Sequence, residues 1–170
     1  MKNKKGFTLI EMAVVLLIIG ILAAAVLMNI NQGPGARDTR RQMDLAKTAS
    51  YLSTYYSKFG YYPTSSSWSD LEQTLIAARV TNQLPRDPSG GRPYDYYYCT
   101  DYPGSDAPSA SEVNHFVLRA VFEQPTSTAP RVWENAITNV PTDWRCYSGT
   151  SGADISNLCN QAQRYYCVAQ

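Results

Sequence analysis

At 170 residues, with 15 basic side chains against 14 acidic ones, the chain is near neutral and its balance shows no basic footprint for nucleic acid, local patches staying open. Once the leader and the N-terminal helix are set aside, the head over 36–170 leaves about 130 residues for a single domain with a modest core. One histidine, no glycine-rich phosphate loop, no nucleophile elbow and no HExxH leave no catalytic constellation to build on, so no enzyme is expected.

The chain begins MKNKKGFTLIEMAVVLLIIGILAAAVLMNI. Lys2, Lys4 and Lys5 lead; Gly6 follows; Glu11 stands ahead of an uncharged run from Met12 to Met28. Extended back to Phe7, the run reaches about 20 residues, enough as a helix for a bilayer core of roughly 30 Å. The lysines would stay on the cytoplasmic side and the rest of the chain would be exported. A secretory signal peptide, with Ala23 to Ala25 as its cleavage site, and a plain membrane anchor are the competing readings. Neither needs Glu11, because an ionisable group within a spanning segment is costly and usually has a task.

Gly6-Phe7-Thr8-Leu9-Ile10-Glu11 before an uninterrupted apolar helix resembles the N-terminus of type IV pilins and of the pseudopilins of type II secretion. The resemblance implies a leader over 1–6, cut after Gly6 by the prepilin peptidase, and N-methylation of Phe7. It further implies a transmembrane and polymerisation helix over 7–32 and an exported head over 36–170. The subunit would be single-pass in the inner (cytoplasmic) membrane before assembly and part of an extracellular filament after it. Expected partners are further copies of the chain in a helical filament and the pilus assembly platform with its ATPases; nucleic acid is left open. Glu11 would meet the Phe7 ammonium of a neighbouring subunit, a charge pair that fixes the stagger between helices in a low-dielectric core.

Gly33-Pro34-Gly35 predicts a break in the long helix. The helix resumes over 36–59, where Leu45, Ala49, Leu52, Tyr56 and Phe59 recur at spacings of four, three, four and three and form one apolar face. Arg37, Arg40, Arg41, Asp44, Lys47 and Lys58 lie mostly elsewhere; Arg40 and Arg41 are read as a solvated face, with a neighbour's carboxylate as the alternative. Gly60-Tyr61-Tyr62-Pro63 closes the helix. A short second helix follows, capped by Ser69 and carrying Leu71, Leu75, Ile76 and Ala78. The prolines and glycines from Leu84 to Pro93 form a turn region that is similar to the stretch after the first helix in major pseudopilins.

Strands are expected over Tyr94 to Cys99, Phe116 to Glu123, Val132 to Ile137 and Tyr165 to Ala169, with loops over Tyr102 to Ser111 and Tyr147 to Ser156. The thirteen tyrosines suit a half-buried sheet surface. His115, at the start of a strand, is read as structural. The expected fold is thus α+β, the type IV pilin fold: a long N-terminal helix packed on a small antiparallel sheet of three or four strands. Cys99, Cys146, Cys159 and Cys167 all lie in the exported part, where an even count predicts two disulfides. The preferred pairing is Cys146 with Cys159 and Cys99 with Cys167, the other connectivities remaining open. With no C-x-x-C pair, and with only Asp154 in the loop where major pseudopilins hold calcium, no metal or other cofactor is expected. The resemblance to type IV pilins implies a structural subunit of a type IV pilus serving adhesion, twitching motility or DNA uptake. The alternatives are a pseudopilin and an exported binding protein anchored by one helix.

Overall fold

The computed structural model describes residues 8–30, 33–101, 107–128, 133, 136–149, 151–153 and 155–170, with the backbone alone for 24–30, 151, 155 and 156. Two helices lead. α1 covers Leu9–Ile30 and α2 covers Pro34–Phe59. The break falls where glycine and proline predict it, and α2 starts two residues before the expected Ala36. Gly33 is the extended N-cap, with φ −64° and ψ 169°, and Pro34 takes the first helical position, where its missing N–H costs nothing. Gly60 ends α2 in the left-handed region at φ 80°, and its N–H reaches Tyr56 O at 2.7 Å.

α3 (Trp68–Ala77) is capped by Ser67 rather than by Ser69: the Ser67 hydroxyl accepts the Asp70 N–H, which starts the helix two residues before the expected position. Among the described residues five antiparallel strands follow: β1 (Asp95–Thr100), β2 (His115–Val121), β3 (Arg145–Ser148), the two-residue β4 (Ser151–Gly152) and β5 (Tyr165–Ala169). A one-turn helix, α4 (Ile155–Leu158), lies between β4 and β5. The sheet order is β4-β3-β1-β2-β5.

Among the described residues of the expected strand over Val132 to Ile137, namely 133, 136 and 137, none is in a strand. Val132 lies outside the described residues, Trp133 sits in a 3₁₀ turn, and Ile137 gives one backbone bond, to Cys167 O at 3.1 Å. In its place Arg145–Ser148, expected partly as loop, pairs with β1 through Tyr98↔Tyr147, Cys99↔Cys146 and Thr100↔Arg145.

Alternation along β1 and β2 divides the core into two. Tyr96, Tyr98, Phe116 and Leu118 face α2 and α3, together with Leu45, Leu52, Leu71 and Leu75. Tyr97, Cys99, Val117 and Cys167 face the other way, against Val140, Leu158 and both disulfides. The α2 face that meets the sheet is rotated from the expected one: Leu45, Thr48, Leu52 and Tyr55 are buried, whereas Tyr56 and Phe59 are exposed. At about 100° per residue, Arg41, Leu45, Thr48, Leu52 and Tyr55 share an arc of about 80°.

The disulfides are Cys99–Cys146 and Cys159–Cys167, not the pairing preferred from sequence. The reason is the strand order. Cys99 on β1 and Cys167 on β5 face the same layer, but β2 lies between them. Two strand spacings place them about 9–10 Å apart, beyond disulfide reach. Cys146 is directly across the β1·β3 ladder from Cys99, which leaves Cys159, at the end of α4, for Cys167.

Candidate functional site: the N-terminal helix and its anchorage

Gly6 and Phe7 lie outside the described residues; the site begins at Thr8. Thr8 is the N-cap of α1 and Glu11 its third helical residue, and the two bond reciprocally. The Glu11 N–H donates to Thr8 Oγ1 at 3.3 Å, and the Thr8 N–H donates to Glu11 Oε2 at 3.5 Å. This is a capping box, which satisfies two of the donors that every helix N-terminus leaves open. It also holds the carboxylate at the positive end of the helix dipole. Sequence reasoning assigned Glu11 a role between subunits and missed Thr8, although T-x-x-E ahead of an apolar run spells the box.

From Thr8 to Ala23 every residue of α1 is exposed. Leu9 is 89 % accessible, Leu16 65 % and Leu22 60 %, with Val, Ile and Met side chains on the intervening faces also open. An apolar helix bare on all sides cannot be a solvent-facing element of a folded domain; lipid or other apolar helices must cover it. The expected membrane segment 7–32 extends past the residues whose side chains are described, and among the described residues no helix is long and apolar enough to cross a membrane.

α2, by contrast, is fastened to the head by charge. Arg41 is fully buried and was expected on the solvated face; Asp38, one turn earlier, is buried with it. Arg41 Nε donates to Asp87 Oδ1 at 2.6 Å, Nη1 to Asp38 Oδ1 at 2.7 Å and Nη2 to Ser89 Oγ at 2.9 Å. Nη1 also lies 2.9 Å from Glu123 Oε1. Asp38 accepts the backbone N–H groups of Glu123 and Gln124, just beyond the end of β2, at 2.8–3.0 Å. Arg37 completes the set with two bonds to Glu123. One guanidinium thus ties the first turns of α2, the 87–89 turn and the end of β2 together. Arg40 is exposed, as expected.

The titration of these groups follows from their partners. Burial alone would lower the Arg41 pKa, but the hydrogen bonds to Asp87, Glu123 and Asp38 outweigh it and raise it. Burial would likewise raise Asp87, and the bonds from Arg41 and Ser89 reverse that into a lowered value. Glu123 is brought down to about 2, first by its hydrogen bond from Arg37 and then, against burial, by Arg41. The helical arithmetic that picks out Leu45 and Leu52 also places Arg41 four residues before Leu45, and Asp38 a further turn back. That spacing is the signal for the buried pair.

His115 stacks on Trp144 with ring centroids 3.9 Å apart. Asp154 lies outside the described residues, and among the described residues no group of His, Cys, Asp or Glu is arranged to hold a metal ion.

A family model described as the prokaryotic N-terminal methylation motif matches residues 1–27. The match is to the class III signal peptide of type IV pilins and pseudopilins, and it spans Gly6, Phe7, Thr8, Glu11 and the exposed face of α1. No curated protein and no solved structure is significantly similar to the chain.

Proposed function

We propose that this chain, which carries the class III signal peptide of type IV pilins and pseudopilins, is a structural, non-catalytic subunit of a type IV pilus. The observation that carries the reading is α1, an apolar helix uncovered on every face over Leu9 to Ala23, with one carboxylate, Glu11, fixed in its first turn. Within the membrane, lipid covers it; in a filament, the same helix of neighbouring copies does. Cleavage after Gly6 frees the amine of Phe7, and Glu11 of an incoming subunit supplies the opposite charge where water is excluded. The side chain of a helical residue leans toward the helix N-terminus, so Glu11 already points to the end at which that amine would lie.

The head then projects from α2. The buried Arg41 network holds the 87–89 turn and the end of β2 to the stalk, so the head follows α2 as one piece. The disulfides brace the opposite layer of the sheet, as suits an oxidising compartment. The direct test is to shear filaments from cells, identify their main protein by mass spectrometry and sequence its N-terminus. The expected result is this chain beginning at N-methylated Phe7. Filaments lacking the chain, or a chain that retains residues 1–6, would overturn the proposal.

A further inference from the structure

Cleavage after Gly6 would take Lys2, Lys4 and Lys5 away, so the basic residues nearest the apolar helix in the mature chain are Arg37, Arg40 and Arg41, all on its exported flank. Basic residues close to a spanning segment ordinarily favour the cytoplasmic side, so arginines on the opposite flank call for compensation. The head supplies it for two of them. Arg41 is paired with Asp38, Asp87 and Glu123, and Arg37 with Glu123. Arg40 is exposed and has no carboxylate partner among the described residues; Asp44, one turn further along α2, accepts the Tyr94 hydroxyl at 2.8 Å instead.

Two more arginines join this end of the head. Arg92 Nη1 donates to Phe122 O and Arg164 Nη1 to Glu123 O, each at 2.9 Å. The segment that receives them lies against the first turns of α2. Asp38 accepts the N–H groups of Glu123 and Gln124, and Gln124 Oε1 would stand 2.8 Å from a Cβ placed on Gly35. The accepting carbonyls are neutral, so these bonds fix two guanidinium groups without cancelling their charge, and each group keeps donors to spare. Asp38, Asp87 and Glu123 are committed to Arg37 and Arg41, which leaves Arg40, Arg92 and Arg164 as an uncompensated positive cluster among the described residues.

The chain sets the height of this cluster. Pro34 follows Ile30 by four residues, a reach of at most about 14 Å, and Arg40 lies about 9 Å further along the α2 axis. Helical side chains lean toward the helix N-terminus, here toward α1. Arg79 is at the other end of the head: its carbonyl accepts from Lys58 Nζ at 3.4 Å, and position 58 is about 27 Å beyond Arg40 along α2. We propose that Arg40, Arg92 and Arg164 seat the head on anionic lipid headgroups of the bilayer that holds α1. Arg40 and Arg164 are exposed rather than gathered round a cavity, an arrangement that suits a plane of many phosphates. Guanidinium forks match phosphate oxygens in geometry as well as charge. This seat rests on the reading of α1 as a membrane helix, and it would hold the head at one angle to the membrane until the subunit leaves for a filament.

The test places the mature chain in lipid nanodiscs, one copy per disc, made of phosphatidylcholine alone or of phosphatidylcholine and phosphatidylglycerol in equal parts. Phenylglyoxal, which condenses with free guanidinium groups, is added, and the modification rate of each arginine is read by peptide mass spectrometry. Phosphatidylglycerol is expected to slow Arg40 and Arg164 about fivefold, to leave Arg79 unchanged as the internal control, and to lose its effect in 0.5 M salt. Arg40→Glu, at an exposed position without a partner, should return Arg164 toward its rate in phosphatidylcholine with an unchanged melting temperature, whereas Arg40→Lys should keep Arg164 protected. Equal rates in the two lipids, or slowing of Arg79 to the same degree, overturn the proposal while leaving the membrane reading intact. Protection that appears only in discs holding two or more copies overturns it in favour of a contact with another subunit. A chain that enters neither kind of disc refutes the membrane reading itself, and the seat with it.

Discussion

Arg41→Met is the most informative single change in the head. It keeps an unbranched apolar stem and removes a guanidinium that is 0 % exposed and lies 2.6, 2.7 and 2.9 Å from the carboxylates of Asp87, Asp38 and Glu123. Deleting one side of a buried ion pair costs about 3–5 kcal/mol, because the opposite charges are left desolvated and facing one another. For a head of about 130 residues, an unfolding entropy of about 2.1 cal/mol/K per residue turns that loss into a melting-temperature drop of about 11–18 °C. Near-ultraviolet circular dichroism of the detergent-solubilised chain reads the core aromatics and not α1, so it follows this transition directly. The pH dependence separates charge from packing. In the wild type, Glu123 at about 2 and the lowered Asp87 bind fewer protons folded than unfolded. They therefore stabilise fully above the ordinary carboxylate range of about 4–4.5, and that contribution is lost as pH falls toward about 2. In Arg41→Met, Asp87 lacks its cation and Glu123 keeps only Arg37, so protonation relieves the variant more than the wild type and the gap between them should narrow below about pH 5. Arg41→Lys should restore only part of the loss, since one ammonium cannot reproduce a fork that reaches Asp87, Asp38 and Ser89 at once. A loss below about 1 kcal/mol, or one that is the same at pH 7 and pH 4, would refute the electrostatic account.

Further outcomes are expected. Glu11→Ala as the only gene copy should give a processed, membrane-resident subunit and few or no filaments by electron microscopy. Thr8→Ala, which removes the hydroxyl half of the capping box at a cost of about 0.5–2 kcal/mol to the helix but leaves the carboxylate, should still assemble; equal loss in both variants would assign the defect to capping. Gly6→Val should leave full-length precursor on immunoblots, because the peptidase must accommodate that residue. Non-reducing peptide mapping should recover Cys99 linked to Cys146 and Cys159 linked to Cys167; a Cys99–Cys167 peptide would contradict the strand order.

The elements that rest on periodicity and punctuation were legible in the chain. α1, α2, β1, β2 and β5 follow from apolar runs, from Gly33-Pro34 and Gly60, and from tyrosine and β-branched clusters. β3 was not. Arg145–Ser148 has four residues with exposed ends, and it becomes a strand because β1 offers it a free edge. The disulfides inherit that difficulty, since which cysteine faces Cys99 depends on which strand is its neighbour. Arg41 misled for another reason: charge is a good guide to the surface unless carboxylates distant in sequence converge on it, and Asp87 and Glu123 lie 46 and 82 positions away.

The break at Gly33 gives the two helices different mechanical roles. Over Leu9 to Ala23, α1 is uncovered by any other part of the described chain, so whatever holds that stretch acts from outside the chain. α2 is held from inside, by Leu45, Leu52 and Tyr55 against the sheet and by Arg41 against three carboxylates. Gly33 has extended backbone and Pro34 donates no N–H, so the helical hydrogen-bond ladder is interrupted where the outside-held helix meets the inside-held one. In the proposed filament the contacts that set subunit spacing then belong to α1 and Glu11, while the network around Arg41 keeps the head aligned with α2. Lengthening the junction by inserting one residue after Gly33 should leave the melting temperature of the head unchanged, because no contact of Asp38, Arg41 or Leu45 moves. It should alter how the head sits on the fibre, visible as a changed filament diameter or surface pattern by electron cryomicroscopy. A destabilised head in that insertion variant would show instead that α1 and α2 work as one continuous element.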